Sequence, residues 1–376
     1  MNHDLLLKEF PLDDGLIYLN HAAVAPWPAR TREAVRQFAE EICRTGAQHY
    51  MTWMQKETEL RGQIQRLLNA PAIADIALLK NTSEALSVVA SGLPWQAGDN
   101  VVTSAEEFPS NRLPWQALAS QGVHLKEVDI KVAEPEAALI GSCDQHTRVL
   151  TISSVQYGSG IRLDLEVLGQ YCRRQGILFC VDAIQSLGAI CMDVQAIQAD
   201  FVMADAHKWM LGPEGAALFY STPSARDQLQ LHQHGWHMVE TVDFNAREWQ
   251  PARSARRFEC GTPNTLGIHA MSASLSLLEE VGYPQVEARI LDNSAYLIEK
   301  LEQIDAVRVL TPRPEPRHAG IISFTVEGAD LDQLHEKLVS NKVLCVHRGG
   351  GIRFSPHFYI GRDKLDKAVE ILSAAI

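Results

Sequence analysis

No two cysteines of this chain form a Cys-x-x-Cys pair, and their number, seven, is odd. Scattered at 43, 143, 172, 180, 191, 260 and 345, they offer neither a disulfide framework nor a zinc site and read as the reduced thiols of a cytoplasmic protein. No uninterrupted apolar stretch of about 18 residues occurs, so no membrane-spanning helix is expected. The opening Met-Asn-His-Asp-Leu-Leu-Leu-Lys-Glu-Phe has no basic start, long apolar core or cleavage site, so no secretory signal is expected either. Basic blocks are absent. With 34 Lys and Arg against 46 Asp and Glu, the net charge is -12, which would repel the phosphates of a nucleic acid. No Gly-x-Gly-x-x-Gly follows an apolar strand and no Walker loop is present, which removes dinucleotide and nucleoside-triphosphate readings. There is no internal repeat.

What remains is 376 residues, 46% hydrophobic and 21% charged, enough for one large core and a smaller domain. From about residue 75, short apolar runs alternate with helical stretches. The strands are expected at 76–79, 100–104, 149–153, 177–181, 201–204 and 216–220. Helices are expected from 83, around 113–120 and over 165–175. Such alternation predicts an α/β domain with a mainly parallel sheet, whose active site lies at the carboxyl ends of the strands. After Pro263 the pattern changes to helices at 266–280 and 286–303 and a proline-rich connector at 311–316. Strands at 320–326, 343–347 and 351–355 follow, with helices at 331–340 and 364–373. The expected division is therefore a segment 1–265 holding the large α/β domain and a small α+β domain over 266–376.

Several strand ends carry chemistry. Lys208 stands on the turn after the run 201–204, where burial would lower its pKa and free its amine as a nucleophile. A surface lysine is the plain alternative. Asp182 follows the run 177–181 directly, and a buried carboxylate needs a partner, either an ordinary ion pair or a protonated heterocyclic nitrogen. Lys80-Asn-Thr-Ser-Glu84 opens a helix with free N–H groups and the hydroxyls of Thr82 and Ser83, an N-cap or a phosphate cradle. Phe108 could lie flat on an aromatic ring or pack in a core, and the polar loop Arg256–Asn264 leads into the next helix. Each signal is weak alone. Together they describe a ligand with a phosphate, a protonated aromatic nitrogen and a carbon that condenses with lysine, as in pyridoxal phosphate.

Ala-His-Lys-Trp at 206–209, Arg-Phe-Glu-x-Gly-Thr-Pro-Asn at 257–264 and Val-Asp-Ala-x-Gln at 181–185 make the chain resemble the class V aminotransferase family of fold-type-I pyridoxal-phosphate enzymes. That branch holds cysteine desulfurases, selenocysteine lyases, C–S lyases and isopenicillin-N-epimerase-like proteins. The resemblance runs from Tyr18-Leu-Asn-His-Ala-Ala to the last helix. It implies a large domain with a mainly parallel, seven-stranded type of sheet and a smaller α+β domain. It also implies that Lys208 carries the cofactor as an imine and moves the substrate's α-proton, while Asp182 holds the ring nitrogen protonated. Gln185 would sit by the phenolic oxygen, and Phe108 would stack on the ring. Thr82, Ser83 and His207 would hold the phosphate, with Thr262 reaching in from the other subunit of a homodimer whose site lies at the interface. Arg353, in Gly351-Ile-Arg-Phe-Ser355, would grip the substrate α-carboxylate in two parallel hydrogen bonds. His21, Gln156, the 232–237 loop and Arg348 are candidates for the side-chain pocket.

Two departures stand out. Desulfurases carry a catalytic cysteine on a flexible loop, whereas the compact run Val343–Arg353 places Cys345 in a β-like segment, where a structural thiol is expected. Asp205 stands near the phosphate, where relatives carry serine or threonine, and a carboxylate there repels phosphate unless it faces away or pairs with a base. His232, His234 and His237 have zinc-like spacing, but no carboxylate or cysteine in the run completes a set, and no metal is expected. The reading is a C–S or C–Se lyase acting on a small amino acid by β-elimination, with transamination second and epimerisation or desulfuration through Cys345 third. A non-catalytic regulator of the same fold is the reading of another class; the presence of both Lys208 and Asp182 argues against it.

Overall fold

The computed structural model describes residues 3–314 and 316–376. Its strands are β1 (Ile17–Tyr18), β2 (Ile76–Leu79), β3 (Asn100–Ser104), β4 (His124–Val128), β5 (Thr147–Ser153), β6 (Leu178–Asp182) and β7 (Phe201–Asp205). They continue with β8 (Ala217–Ser221), β9 (Val307–Val309), β10 (Ile322–Val326), β11 (Val343–Leu344), β12 (Val346–Arg348) and β13 (Gly351–Phe354). The helices are α1 (His3–Glu9), α2 (Ala29–Thr45), α3 (Tyr50–Leu68), α4 (Thr82–Gly92), α5 (Leu113–Gln116) and α6 (Pro135–Ser142). Then come α7 (Leu165–Gln175), α8 (Pro223–Arg226), α9 (Thr265–Val281), α10 (Tyr283–Glu302), α11 (Leu331–Ser340) and α12 (Arg362–Ala375).

Seven strands form one sheet in the order β2-β8-β7-β6-β5-β3-β4. It is parallel from β7 through to β4, while β8 runs antiparallel to both its neighbours. The central strands β7 and β8 are buried at every position, which is why they read as unbroken apolar runs. Alternate side chains supply two separate cores. Val202 and Ala204 face a cluster with Ile64 of α3, Leu168 of α7 and Met271 of α9. Phe201 and Met203 face the opposite cluster with Leu86 and Val89 of α4 and Trp115 of α5.

A four-stranded antiparallel sheet, β12-β13-β10-β9, forms the second unit with α10, α11 and α12 around Leu297, Phe324, Leu338, Phe354 and Leu365. The expected single strand at 343–347 is two strands. β11 pairs in parallel with β1, and β12 turns to pair with β13, leaving Cys345 buried at the switch. Ile17 and Leu19 thereby join the small core, although the sequence reading grouped them with the large domain. Conversely α9, expected to open the small domain, packs Ile268, Met271 and Leu275 in the large core. Among the described residues no helix is long and apolar enough to cross a membrane.

Candidate active site

The parallel strands β5, β6 and β7 end side by side, Ser153 opposite Asp182 and Asp182 opposite Met203. Lys208 follows on the turn after β7. That turn is held on all sides. Ala206 N–H donates to Ala216 O at 2.9 Å and Gly212 N–H to Ala206 O at 2.8 Å. Trp209, fully buried, donates Nε1–H to Gln185 Oε1 at 3.0 Å, and its carbonyl lies 3.0 Å from His357 Nε2. Gly188, at φ 93°, leaves room for this carbonyl: a Cβ there would lie 2.3 Å from Trp209 O. The lysine is therefore fixed through its neighbours, and its amine stands over the Phe108 ring, 5.8 Å from Nζ to centroid.

Asp182 is buried, and its carboxylate receives one hydrogen bond among the described residues, from Ile184 N–H at 3.0 Å. Burial pushes its pKa up, and the nearby Glu107 charge adds to this while Lys208 opposes it. Burial pushes the Lys208 amine below the usual lysine range; Asp182 opposes the shift, and the Arg353 and Arg348 guanidiniums add to it. Beneath the pair lies Glu107, buried and held by Ser153 N–H at 2.7 Å, Gln156 Nε2–H at 2.9 Å and Asn111 Nδ2–H at 3.1 Å. Sequence reasoning passed over Glu107. Its place in Glu106-Glu-Phe-Pro-Ser-Asn111 was the available signal.

Arg353, on β13, is fully buried and donates Nη1–H to Tyr157 O at 2.7 Å. Its Nε and Nη2 are buried without a partner among the described residues, and burial lowers it to about 9. Buried donors left unmade are costly, so this fork is built for an anion that enters the cleft. His207 Nδ1 is likewise buried and unbonded, and burial, then the Lys208 charge, lowers its pKa to about 4.

Asp205 is resolved by its partners. Its Oδ1 accepts from both the backbone N–H and the hydroxyl of Thr82, and its Oδ2 lies 3.4 Å from His207 Nδ1. It thus caps α4 from across the sheet and occupies a donor expected to face a phosphate. Ser83, further along the turn, donates to Ser110 Oγ at 2.7 Å.

Other expected positions are differently employed. His21, expected in the side-chain pocket, is wholly buried with Nδ1 2.8 Å from Ser355 O and Nε2 2.7 Å from Tyr359 Oη, leaving no ring nitrogen for a substrate. Gln156 is buried on Glu107. Gln185 spends its amide on Trp209 and on Ala22 O, at 3.0 Å each. Thr262 lines a separate 580 Å³ groove with Lys80, Glu84, Phe258 and Asn264. The three loop histidines diverge: His232 lies 2.8 Å from Ser91 O, His234 meets the Trp249 ring edge, and His237 stands 3.5 Å from Glu259. Glu57, His237 and Glu259 cluster closely enough for a cation. The Arg61 Nη2 already lies 2.6 Å from Glu57 and 2.7 Å from Glu259, supplying that positive charge.

The residues fit pyridoxal phosphate. A buried carboxylate lies near a lysine of lowered pKa that stands over an aromatic ring, with a buried, unsatisfied guanidinium close by; only Asp205 runs against the phosphate end.

The family described as Aminotransferase class-V matches residues 17–355. A probable cysteine desulfurase of Methanothermobacter thermautotrophicus is 29% identical, over 97% of this chain and 96% of the relative. A cysteine desulfurase of Salmonella newport is 28% identical over 83% and 78%. Among solved structures, the apo cysteine desulfurase of Thermococcus onnurineus superposes with a TM-score of 0.88 at 24% identity, covering 100% and 98% of the two chains. The cystine C–S lyase C-DES in complex with cysteine persulfide gives 0.89 at 22%, over 96% and 98%.

Proposed function

Since the chain belongs to the class-V aminotransferase family, we propose that it is a pyridoxal-phosphate enzyme that cleaves the C–S bond, or C–Se bond, of a cysteine-type amino acid by β-elimination. The observation that carries this is the grouping of Lys208 with Asp182 and the unsatisfied Arg353, while Cys345, in the segment before Arg353, is buried in the small core. The cofactor would supply an electrophilic carbon for an amine and a protonated ring that accepts electrons from the substrate's α-carbon.

The protein's part follows from its own groups. Asp182 would hold a proton at the ring nitrogen, a task for a carboxylate that burial leaves short of a partner. Phe108 would cover one ring face. His207 and Ser83 would hold the phosphate, while Thr82, taken up by Asp205, and Gln185, taken up by Trp209 and Ala22, would reach the cofactor only on giving up those bonds. Arg353 would bind the α-carboxylate through Nε and Nη2 and so orient the α-C–H bond. Lys208 Nζ would take the α-proton, its lowered pKa raising the share of free amine near neutral pH. Elimination of a sulfur leaving group then needs no enzyme nucleophile. Cys345 is an unsuitable one, since it is 4% exposed and burial pushes its thiol up to about 12.

The same reading places the protein in a reducing compartment such as the cytoplasm, in keeping with seven unpaired cysteines. It also makes the working form a homodimer. The test is product analysis with cysteine, cystine and S-substituted cysteines. Pyruvate and ammonia are expected, with sulfide from cysteine, cysteine persulfide from cystine and a thiol from an S-substituted cysteine. Alanine with persulfide would instead support desulfuration, and a keto acid that keeps its sulfur would support transamination. Absence of pyruvate together with sulfide, persulfide or thiol across the panel would sink the lyase reading.

A further inference from the structure

The hairpin that carries Arg353 presents a second guanidinium. β12 and β13 are joined by Gly349 and Gly350, at φ 67° and 78°, the two-residue turn that only a pair of left-handed positions makes easily. In the register, Val346 faces Arg353 and Arg348 faces Gly351. Side chains alternate along a strand, so Arg348 lies on the same face as Val346 and is a diagonal neighbour of Arg353. His347 points to the other face, where its Nδ1 meets Asp332 at 2.6 Å.

Arg348 could be an ordinary exposed arginine at a hairpin tip. Three features separate it from one. Its guanidinium carbon lies 6.0 Å from the centroid of Tyr157, the residue whose carbonyl accepts from Arg353. The tip is pressed there: a Cβ on Gly349 would lie 3.0 Å from Gly158 Cα. Tyr157 in turn meets Phe108 edge-on at 5.2 Å, and Phe108 underlies the Lys208 amine. Finally, Arg348 makes no ion pair with any described residue, although its neighbours Arg317, Lys131 and His347 all do. Two guanidiniums thus face one cleft, and the Arg348 charge adds to burial in lowering Arg353.

We infer that Arg348 reads a second anionic group of the substrate, so that the preferred amino acids carry a carboxylate or sulfinate at the far end of the side chain. A cystine-like disulfide with its second carboxylate belongs to this class; cysteine does not. The inference rests on the assignment of Arg353 to the α-carboxylate, but it does not depend on which bond is broken.

The test is equilibrium binding of unreactive acids to the cofactor-loaded enzyme by calorimetry: butyrate against succinate, glutarate and 3-sulfinopropanoate. In the unaltered protein at least one diacid is expected to bind about tenfold more tightly than butyrate, a preference of the size one added charged contact gives. Arg348→Ala should reduce that preference to within about twofold by weakening the diacid far more than butyrate, and Arg348→Lys should keep part of it. The exposed position predicts an unchanged melting temperature. The carboxylate and sulfinate arms separate the two head groups. No diacid preference in the unaltered protein, or a preference that survives Arg348→Ala, overturns the inference. If Arg353→Ala leaves butyrate binding intact, the Arg353 assignment fails and takes the inference with it. Absence of C–S cleavage in the product panel would leave the binding result standing.

Discussion

At the scale of single residues, the site is assembled from groups that the fold leaves incomplete. Asp182 is the clearest. Burial raises its pKa above the unfolded value of about 3.9. A carboxyl that loses its proton more readily when unfolded favours the unfolded chain as pH climbs from that value, and the penalty is complete above the raised folded one. Asp182→Asn in the cofactor-free protein should therefore raise stability at pH 7 to 8, by on the order of 1–3 kcal/mol. The gain should fall away as pH drops and vanish below about pH 3, where the carboxyl is protonated in the folded and the unfolded chain alike, and the variant should bind cofactor poorly. Urea midpoints across that range check the sign; a variant less stable at pH 7 would show that the Lys208 charge outweighs the burial. Asp182 and Lys208 could be picked out as candidates because they stand at or just past a strand end, where an unpaired charge has no structural use, whereas Arg353, inside β13, was reached only through the resemblance. His21 was misjudged because its hydrogen-bond partners, Ser355 and Tyr359, are distant in sequence.

At the scale of elements, apolar runs located the strands of the large sheet because those strands are buried on both faces. The polar edge strand β4, His-Leu-Lys-Glu-Val, was missed because half its surface stays in water. The other edge, β2, is covered by charge. Glu259 Oε1 accepts Leu78 N–H at 2.8 Å, and Arg61 Nη1 donates to Ile76 O at 2.6 Å. The turn that carries Lys208 depends on a contact no periodicity reveals, the seat of the Trp209 carbonyl over Gly188. Gly188→Ala combines a left-handed φ with a Cβ 2.3 Å from that oxygen. It should destabilise the chain by about 2 kcal/mol or more and shift Lys208 with its turn. Gly141→Ala, in helix α6 with nothing within 4 Å of the new Cβ, should be neutral or stabilise by about 0.5–1 kcal/mol. Chemical denaturation of the two variants side by side is the check, and equal midpoints would refute the packing argument.

At the scale of the molecule, one chain provides most of a site and leaves Thr262 outside it. The loop bearing Thr262 follows Glu259, which is fixed by Arg61 and Leu78, so it is not free to swing into its own cleft. Its groove is apolar, walled by Leu60, Leu79, Phe258, Ile268 and Met271, and Val24, Trp27, Met51, Met54 and Leu266 stand exposed on the chain. A two-fold dimer would cover apolar surface of this kind and lend each site its partner's Thr262. Mixing two inactive variants tests the exchange. Lys208→Ala lacks the catalytic amine, and Thr262→Asp sets a carboxylate against the phosphate. If Thr262 acts across the interface, each mixed dimer has one doubly damaged site and one intact site. Unfolding and refolding the two together in equal amounts should then restore about a quarter of the sites, half the dimers being mixed. If Thr262 serves its own chain, no mixed dimer contains an intact site and activity stays at the level of the separate variants. The recovered fraction therefore reports which subunit completes the site, independently of what the substrate is.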